Sequence, residues 1–113
     1  MSSNEVLVRE FRSLATRESG AAAREFVLER LKESAFVVLD FTGAHPSPSF
    51  ADEFVGRLAE VLGAIRFNAS IRVRGANRET RPLLQQVISR RLGRFGSPPK
   101  GPATSQFVVG YSS

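Results

Sequence analysis

The stretch Val37-Val38-Leu39-Asp40-Phe41-Thr42-Gly43, followed by Ser49-Phe50-Ala51-Asp52-Glu53-Phe54, decides the fold. From Ala35 to Phe41 the chain is apolar until Asp40 and rich in β-branched residues. That is the pattern of a strand covered on both faces, and it predicts the central strand of a sheet. In His45-Pro46-Ser47-Pro48 each proline pushes its predecessor toward extended geometry, so the loop runs to Pro48. Ser49 then stands where an N-cap belongs, with Asp52 three residues on in the place of the Glu of a capping box. Phe50, Ala51, Phe54, Val55, Leu58, Ala59 and Leu62 form an apolar stripe. Asp52, Glu53, Gly56, Arg57 and Glu60 are left as the outer face of that helix, and Gly63 stops it. A loop that leaves the carboxyl end of a central strand and feeds a helix N-terminus is where open α/β sheets collect ligands. The candidate site is therefore expected between Thr42 and Arg57.

Outward from this segment the same two periods recur. Val6-Leu7-Val8-Arg9-Glu10-Phe11 reads as a short strand. Over residues 17–33, Ala23, Phe26, Val27 and Leu31 recur at three- and four-residue spacing, which predicts an amphipathic helix capped at Thr16 or Ser19. Ser70-Ile71-Arg72-Val73-Arg74 alternates like a strand with one wet face, and Gly75-Ala76-Asn77 turns the chain. Leu83, Leu84, Val87, Ile88 and Leu92 define a third helix, from Thr80 to Gly93, with Pro82 tolerated in its first turn. The order β-α-β-α-β-α predicts a single α/β domain over residues 1–95. It would be a mixed β-sheet of four to five strands with three helices packed mainly on one side. Residues 96–113 open with the linker composition Gly96-Ser97-Pro98-Pro99-Lys100-Gly101-Pro102 and end in an apolar stretch at 106–111. That stretch suits a last strand at the sheet edge or pairing with a neighbouring chain.

A chain of 113 residues, 42% hydrophobic and with nine Phe, has enough apolar area for one core without staples. The absence of Cys removes disulfides, thiolate metal sites and cysteine nucleophiles together. No apolar run approaches a membrane span, and Met1-Ser2-Ser3-Asn4-Glu5 lacks a secretory pattern, so a cytoplasmic, non-membrane protein is expected. The formal charge is +5, and of 16 basic residues only Lys32 and Lys100 are lysine. Arginine pairs bidentately with phosphate and carboxylate, so nucleic acid and acidic proteins are both partners to weigh.

Asp40 at the strand end is read as a turn anchor acting through Thr42 and Gly43, as short Asp side chains bond nearby backbone N–H groups. Asp52 and Glu53, one apart on a helix, point in different directions and do not form an acid/base pair. Glu53 is expected to meet Arg57 one turn on. His45, the one histidine, has no second ligand at metal spacing and reads as solvated. No phosphate-binding glycine loop, dinucleotide fingerprint, nucleophile elbow or zinc spacing occurs, so neither catalysis nor a metal or cofactor is expected. Arg72, Arg74, Arg78, Arg81, Arg90, Arg91 and Arg94 compose a basic surface, the basis of an alternative reading as a small nucleic-acid-binding protein. Interleaved exposed aromatics are missing from it.

Residues 6–92 resemble the STAS-like family, relatives of the domain shared by sulfate transporters and anti-sigma factor antagonists. The carriers are Thr16-Arg17, the strand Val38-Leu39-Asp40-Phe41-Thr42-Gly43, the helix start Ser49-Phe50-Ala51-Asp52-Glu53 and the apolar pattern of the last helix. The resemblance implies a bacterial signalling module of transcription regulation that works by partner switching, docked on a GHKL-type histidine-kinase-like ATPase or another anti-sigma regulator. In the antagonists a serine in an Asp-Ser-Ser-Gly turn at a helix start is phosphorylated by the partner. Here Pro48-Ser49-Phe50-Ala51 stands in that place, so Ser49 falls on or beside the switching position while the Asp and the Gly are missing. The implied docking surface takes in Thr42, Gly43, His45, Ser47, Ser49, Asp52, Glu53 and Arg57.

Overall fold

The computed structural model describes residues 4–93. Among them three strands, β1 (Glu5–Leu7), β2 (Val37–Asp40) and β3 (Ile71–Arg74), form one sheet in the order β1-β2-β3. Both pairings are parallel, with Val6 opposite Leu39 and Leu39 opposite Val73. The expected mixed sheet of four to five strands is thus a three-stranded parallel one among the described residues. The candidate strand at 106–111 lies outside them, as does Arg94. The first expected strand is also shorter than its alternation implied, because Val8–Glu10 closes into a 3-10 turn and Phe11 falls beyond it.

Helix α1 (Arg17–Leu31) is capped by Thr16, whose hydroxyl accepts from Ser19 N–H. The next helix runs without a break through α2 (Pro48–Ala51), a π-helical segment (Asp52–Gly56) and α3 (Arg57–Leu62). Gly63, at φ 85°, ends it. A further short helix, α4 (Ala64–Ser70), leads into β3, and α5 (Thr80–Gly93) closes the described chain. The side-chain oxygen of Asn77 accepts from Glu79 and Thr80 N–H at the start of α5.

Each strand turns one row of side chains toward the helices: Val6, then Val37, Leu39 and Phe41, then Ile71 and Val73, all buried. They meet Phe50, Phe54 and Leu58 from the continuous helix, which have no exposed surface, and Leu84 and Val87 from α5. A fully buried Phe or Leu contributes roughly 2–3 kcal/mol relative to exposure. Right-handed crossovers between strands that step one way put their helices on a single face.

The opposite face of the sheet carries Leu7, Val38, Arg72 and Arg74, so the expectation of a central strand covered on both sides is corrected: Val38 is only half-buried. Its cover comes from long side chains instead. The Arg72 guanidinium lies 4.5 Å from the Phe36 ring centroid, and Arg74 pairs with Glu5, linking β3 to β1 across the face of β2. Arg74 Nε also lies 3.5 Å from Asp40.

Candidate functional site

At the carboxyl end of β2 the chain leaves the sheet in a fixed turn. Thr42 N–H donates to Asp40 Oδ1 at 2.9 Å, and Ala44 N–H donates to the Phe41 carbonyl. Hydrogen bonds from the Thr42 hydroxyl and Thr42 N–H, with the nearby Arg9 charge, hold the Asp40 carboxyl below its ordinary pKa. Gly43 and Gly75 take φ of 75° and 77°, a region that favours glycine. At Gly75 there is no room for anything else: a Cβ would overlap Thr42 Oγ1 and stand 2.8 Å from Asp40 Oδ1. The ends of β2 and β3 are locked together there, and Thr42, Gly43 and His45 face outward beside them.

The helix opens two residues earlier than the sequence pattern implied. Ser47, not Ser49, is the N-cap: its hydroxyl accepts from Phe50 N–H at 3.0 Å and donates to the Ala15 carbonyl at 2.9 Å. Pro48 occupies the first helical position, where its missing N–H costs nothing and its fixed φ suits the helix. Ser49 is therefore released from capping. It is half-buried in the first turn, and its hydroxyl engages no described residue.

One turn further the face expected to be solvated proves to be internal. The continuous helix lies between α1 and α5, and its acidic residues meet arginines from both. Asp52, 6% exposed, accepts from Arg91 Nη2 at 2.6 Å and Nε at 3.1 Å, and from Arg17 Nη1 at 3.1 Å. Glu53 accepts from Arg24 at 3.0 Å and from Arg17 at 3.1 Å. Its expected partner Arg57 instead lies 3.8 Å from Glu60, which also takes Arg91 at 3.4 Å. The result is a chain of charge pairs, Arg24-Glu53-Arg17-Asp52-Arg91-Glu60-Arg57, running across three helices.

The π segment and two glycines make this geometry possible. Arg57 N–H reaches back to the Asp52 carbonyl, passing over the Glu53 carbonyl, which accepts from Arg24 Nη1 at 2.6 Å instead. At Gly20 of α1 a Cβ would stand 2.9 Å from both the Phe50 carbonyl and Glu53 Cβ. At Gly56 it would stand 2.9 Å from Asp52 Oδ1 and 3.2 Å from Arg91 Cγ. At Gly20 the neighbouring helix comes too close for a side chain, while at Gly56 the space is taken by the Asp52 carboxylate of its own helix and bordered closely by Arg91 of α5.

Arg91, foremost, holds the Asp52 carboxyl below its ordinary pKa against the opposing effect of burial, and Arg24 does the same for Glu53. Arg91 and Arg17 are raised in turn, each chiefly by its hydrogen bond to Asp52. Charged at neutral pH and each held by two arginines, Asp52 and Glu53 are poor proton acceptors. Of the eight residues placed on the docking surface, Thr42, Gly43 and His45 are exposed and Ser47, Ser49, Glu53 and Arg57 half-buried, while Asp52 is sealed.

The basic surface is divided in the same way. Arg72, Arg78, Arg81 and Arg90 are exposed, Arg74 is tied to Glu5 and Asp40, and Arg91 belongs to the ion chain. Among the described residues no three His, Asp or Glu side chains converge to hold a metal, and no helix is long and apolar enough to cross a membrane. No family model matches the chain, and neither a curated protein nor a solved structure does.

Proposed function

We propose that this protein is a non-catalytic regulatory module of the cytoplasm that binds another protein through the carboxyl end of β2 and the first turn of α2. The observation that carries this reading is the division of labour between two serines. Ser47 caps the helix and ties it to Ala15, so Ser49 has no capping task, yet it stands half-buried at the mouth of the helix, and Thr42, Gly43 and His45 in the segment leading to it are exposed. A hydroxyl so placed suits contact with a partner and suits modification by one.

The resemblance to anti-sigma factor antagonists gives the partner class, a GHKL-type kinase-like ATPase or a related regulator, and makes Ser49 the switch. A phosphoryl group there adds about two negative charges close to Asp52 and Glu53, which acts on docking more than on folding. Co-purification from the native host tests this with wild type, Ser49→Ala and Ser49→Asp. The expected result is an ATPase held by wild type and Ser49→Ala and lost by Ser49→Asp. Identical partner profiles for all three would remove Ser49 from the account.

Nucleic-acid binding through the arginines is the competing reading. Arg72, Arg78, Arg81 and Arg90 support it by their exposure, but the commitment of Arg74 and Arg91 to carboxylates removes two of its contacts. Affinity for duplex DNA or single-stranded RNA that falls steeply with added salt, with no ATPase bound, would favour it.

A further inference from the structure

We infer that Arg17 is the receiver of a phosphoryl group on Ser49, exchanging its bonds to Asp52 and Glu53 for bonds to the phosphate. The inference rests on the reading of Ser49 as a switch and goes beyond it by naming the residue within this chain that responds.

Three observations converge on Arg17. Ser49, Asp52 and Glu53 stand at i, i+3 and i+4 on one helix, the spacing that puts side chains on one face with Cβ atoms about 5–6 Å apart. The guanidinium that already bridges the second and third of these is that of Arg17, 3.1 Å from each. It therefore lies over the face to which Ser49 belongs.

Arg17 is also the one cation of the cluster that both carboxylates can spare. Asp52 keeps Arg91, with bonds of 2.6 and 3.1 Å, and Glu53 keeps Arg24 at 3.0 Å. Those two arginine side chains are 21% and 13% exposed, while that of Arg17 is 56% exposed. Departure of Arg17 thus leaves no buried carboxylate without a cation, the circumstance that makes removal of an ion-pair partner costly.

The third observation is the chemistry of the modified residue. A phosphorylated Ser49 without a cation would face Asp52 and Glu53 as a third anion on the same turn. Guanidinium pairs with phosphate oxygens in a planar, two-pronged geometry, so a movable Arg at this point turns repulsion into attraction. In the modification itself, the Ser49 Oγ–P bond forms as the bond from the γ-phosphorus to the bridging oxygen of a partner-bound nucleoside triphosphate breaks. The nucleoside diphosphate leaves and the Oγ proton passes to solvent. Because Arg17 opens α1, the exchange loosens the tie between the start of α1 and the π segment, carrying the mark from one helix to its neighbour.

The test uses the full chain carrying phosphoserine at position 49, introduced during translation so that no partner kinase is needed, and follows the phosphorus NMR signal through pH 4–8. The second ionisation of phosphoserine lies near ~6, and a neighbouring guanidinium lowers it while carboxylates raise it. With Arg17 in place the midpoint is expected about half a unit or more below that of the same protein bearing Arg17→Gln, and Arg17→Lys should recover part of the difference. Coincident midpoints for all three would overturn the assignment. Failure to find phosphoserine 49 in protein from the native host would instead defeat the switch reading and leave this titration unaffected.

Discussion

Ser49 and Asp52 stand one turn apart on the same helix, and the structure treats them in opposite ways. Asp52 is sealed between α1 and α5 with three arginine hydrogen bonds from two side chains, while Ser49 stands at the mouth of the helix with its hydroxyl engaged by no described residue. A polar residue in the middle of a three-helix layer has no solvated side to turn to, so its charge is satisfied by neighbours. One placed before the neighbouring helices close in keeps its access. The short motif Ser-Phe-Ala-Asp-Glu is therefore divided: Phe50 to Glu53 pack against neighbouring helices, while Ser49 stays half-buried at the helix start.

The largest effects are expected at the buried acid. Replacing Asp52 by Ala leaves Arg91 facing Glu60 alone and is expected to cost about 3 kcal/mol in urea-induced unfolding, as removal of one partner of a buried pair does. Loss of less than about 1 kcal/mol would mean that the ion chain contributes little. Gly20→Val should lower stability by about 2–3 kcal/mol, because the new Cβ meets the Phe50 carbonyl and Glu53 Cβ at 2.9 Å and α1 must move away. An unchanged midpoint in the same measurement would contradict the close approach.

Acid provides a gentler probe. Asp52 and Glu53 are depressed in the folded protein, chiefly by Arg91 and Arg24. Their stabilisation is thus complete above the ordinary carboxylate range and is lost as pH falls through the lower folded values. Thermal midpoints of wild type should drop below about pH 4, and the drop should be smaller in Asp52→Asn, which has no carboxylate to protonate. Parallel curves for the two proteins would show that other acids govern the transition.

The two serines at the helix start should show the smallest effects. Ser47→Ala should cost about 1 kcal/mol, the usual value of a helix cap, and Ser49→Ala should fall within about 0.5 kcal/mol of wild type. Reversal of that order in matched denaturation curves would return the cap to Ser49 and remove the basis for giving it a role in binding.

Much of the fold was legible because its elements obey one period each. β2 and β3 follow from their β-branched runs, and the bounds of α5, with Thr16 as the cap of α1, agree with the sequence pattern. α4 was missed because its apolar content makes no stripe: Phe67 is buried but Ile65 is 87% exposed. The displaced cap had a readable signal in Pro48, since proline favours the first helical position and so points to the residue before it. The inward turn of Asp52 was hidden by counting polar residues as an outer face. A helix flanked on both sides turns part of that face inward, and Gly20 and Gly56, each inside a helical segment, were the marks of close neighbours. The pairing of particular arginines with particular acids depends on helix-to-helix placement, to which no single-segment period gives access.

The parallel sheet also governs how the molecule must assemble. Val6 meets Leu39 from 33 positions away, and Leu39 meets Val73 from 34, so the ladder contains no hairpin among the described residues. Closing such distant pairings costs chain entropy before it gains bonds, and a nascent chain still lacking Ile71–Arg74 has no strand to cover the second edge of β2. Completion of the three-stranded sheet therefore waits until synthesis has passed Arg74.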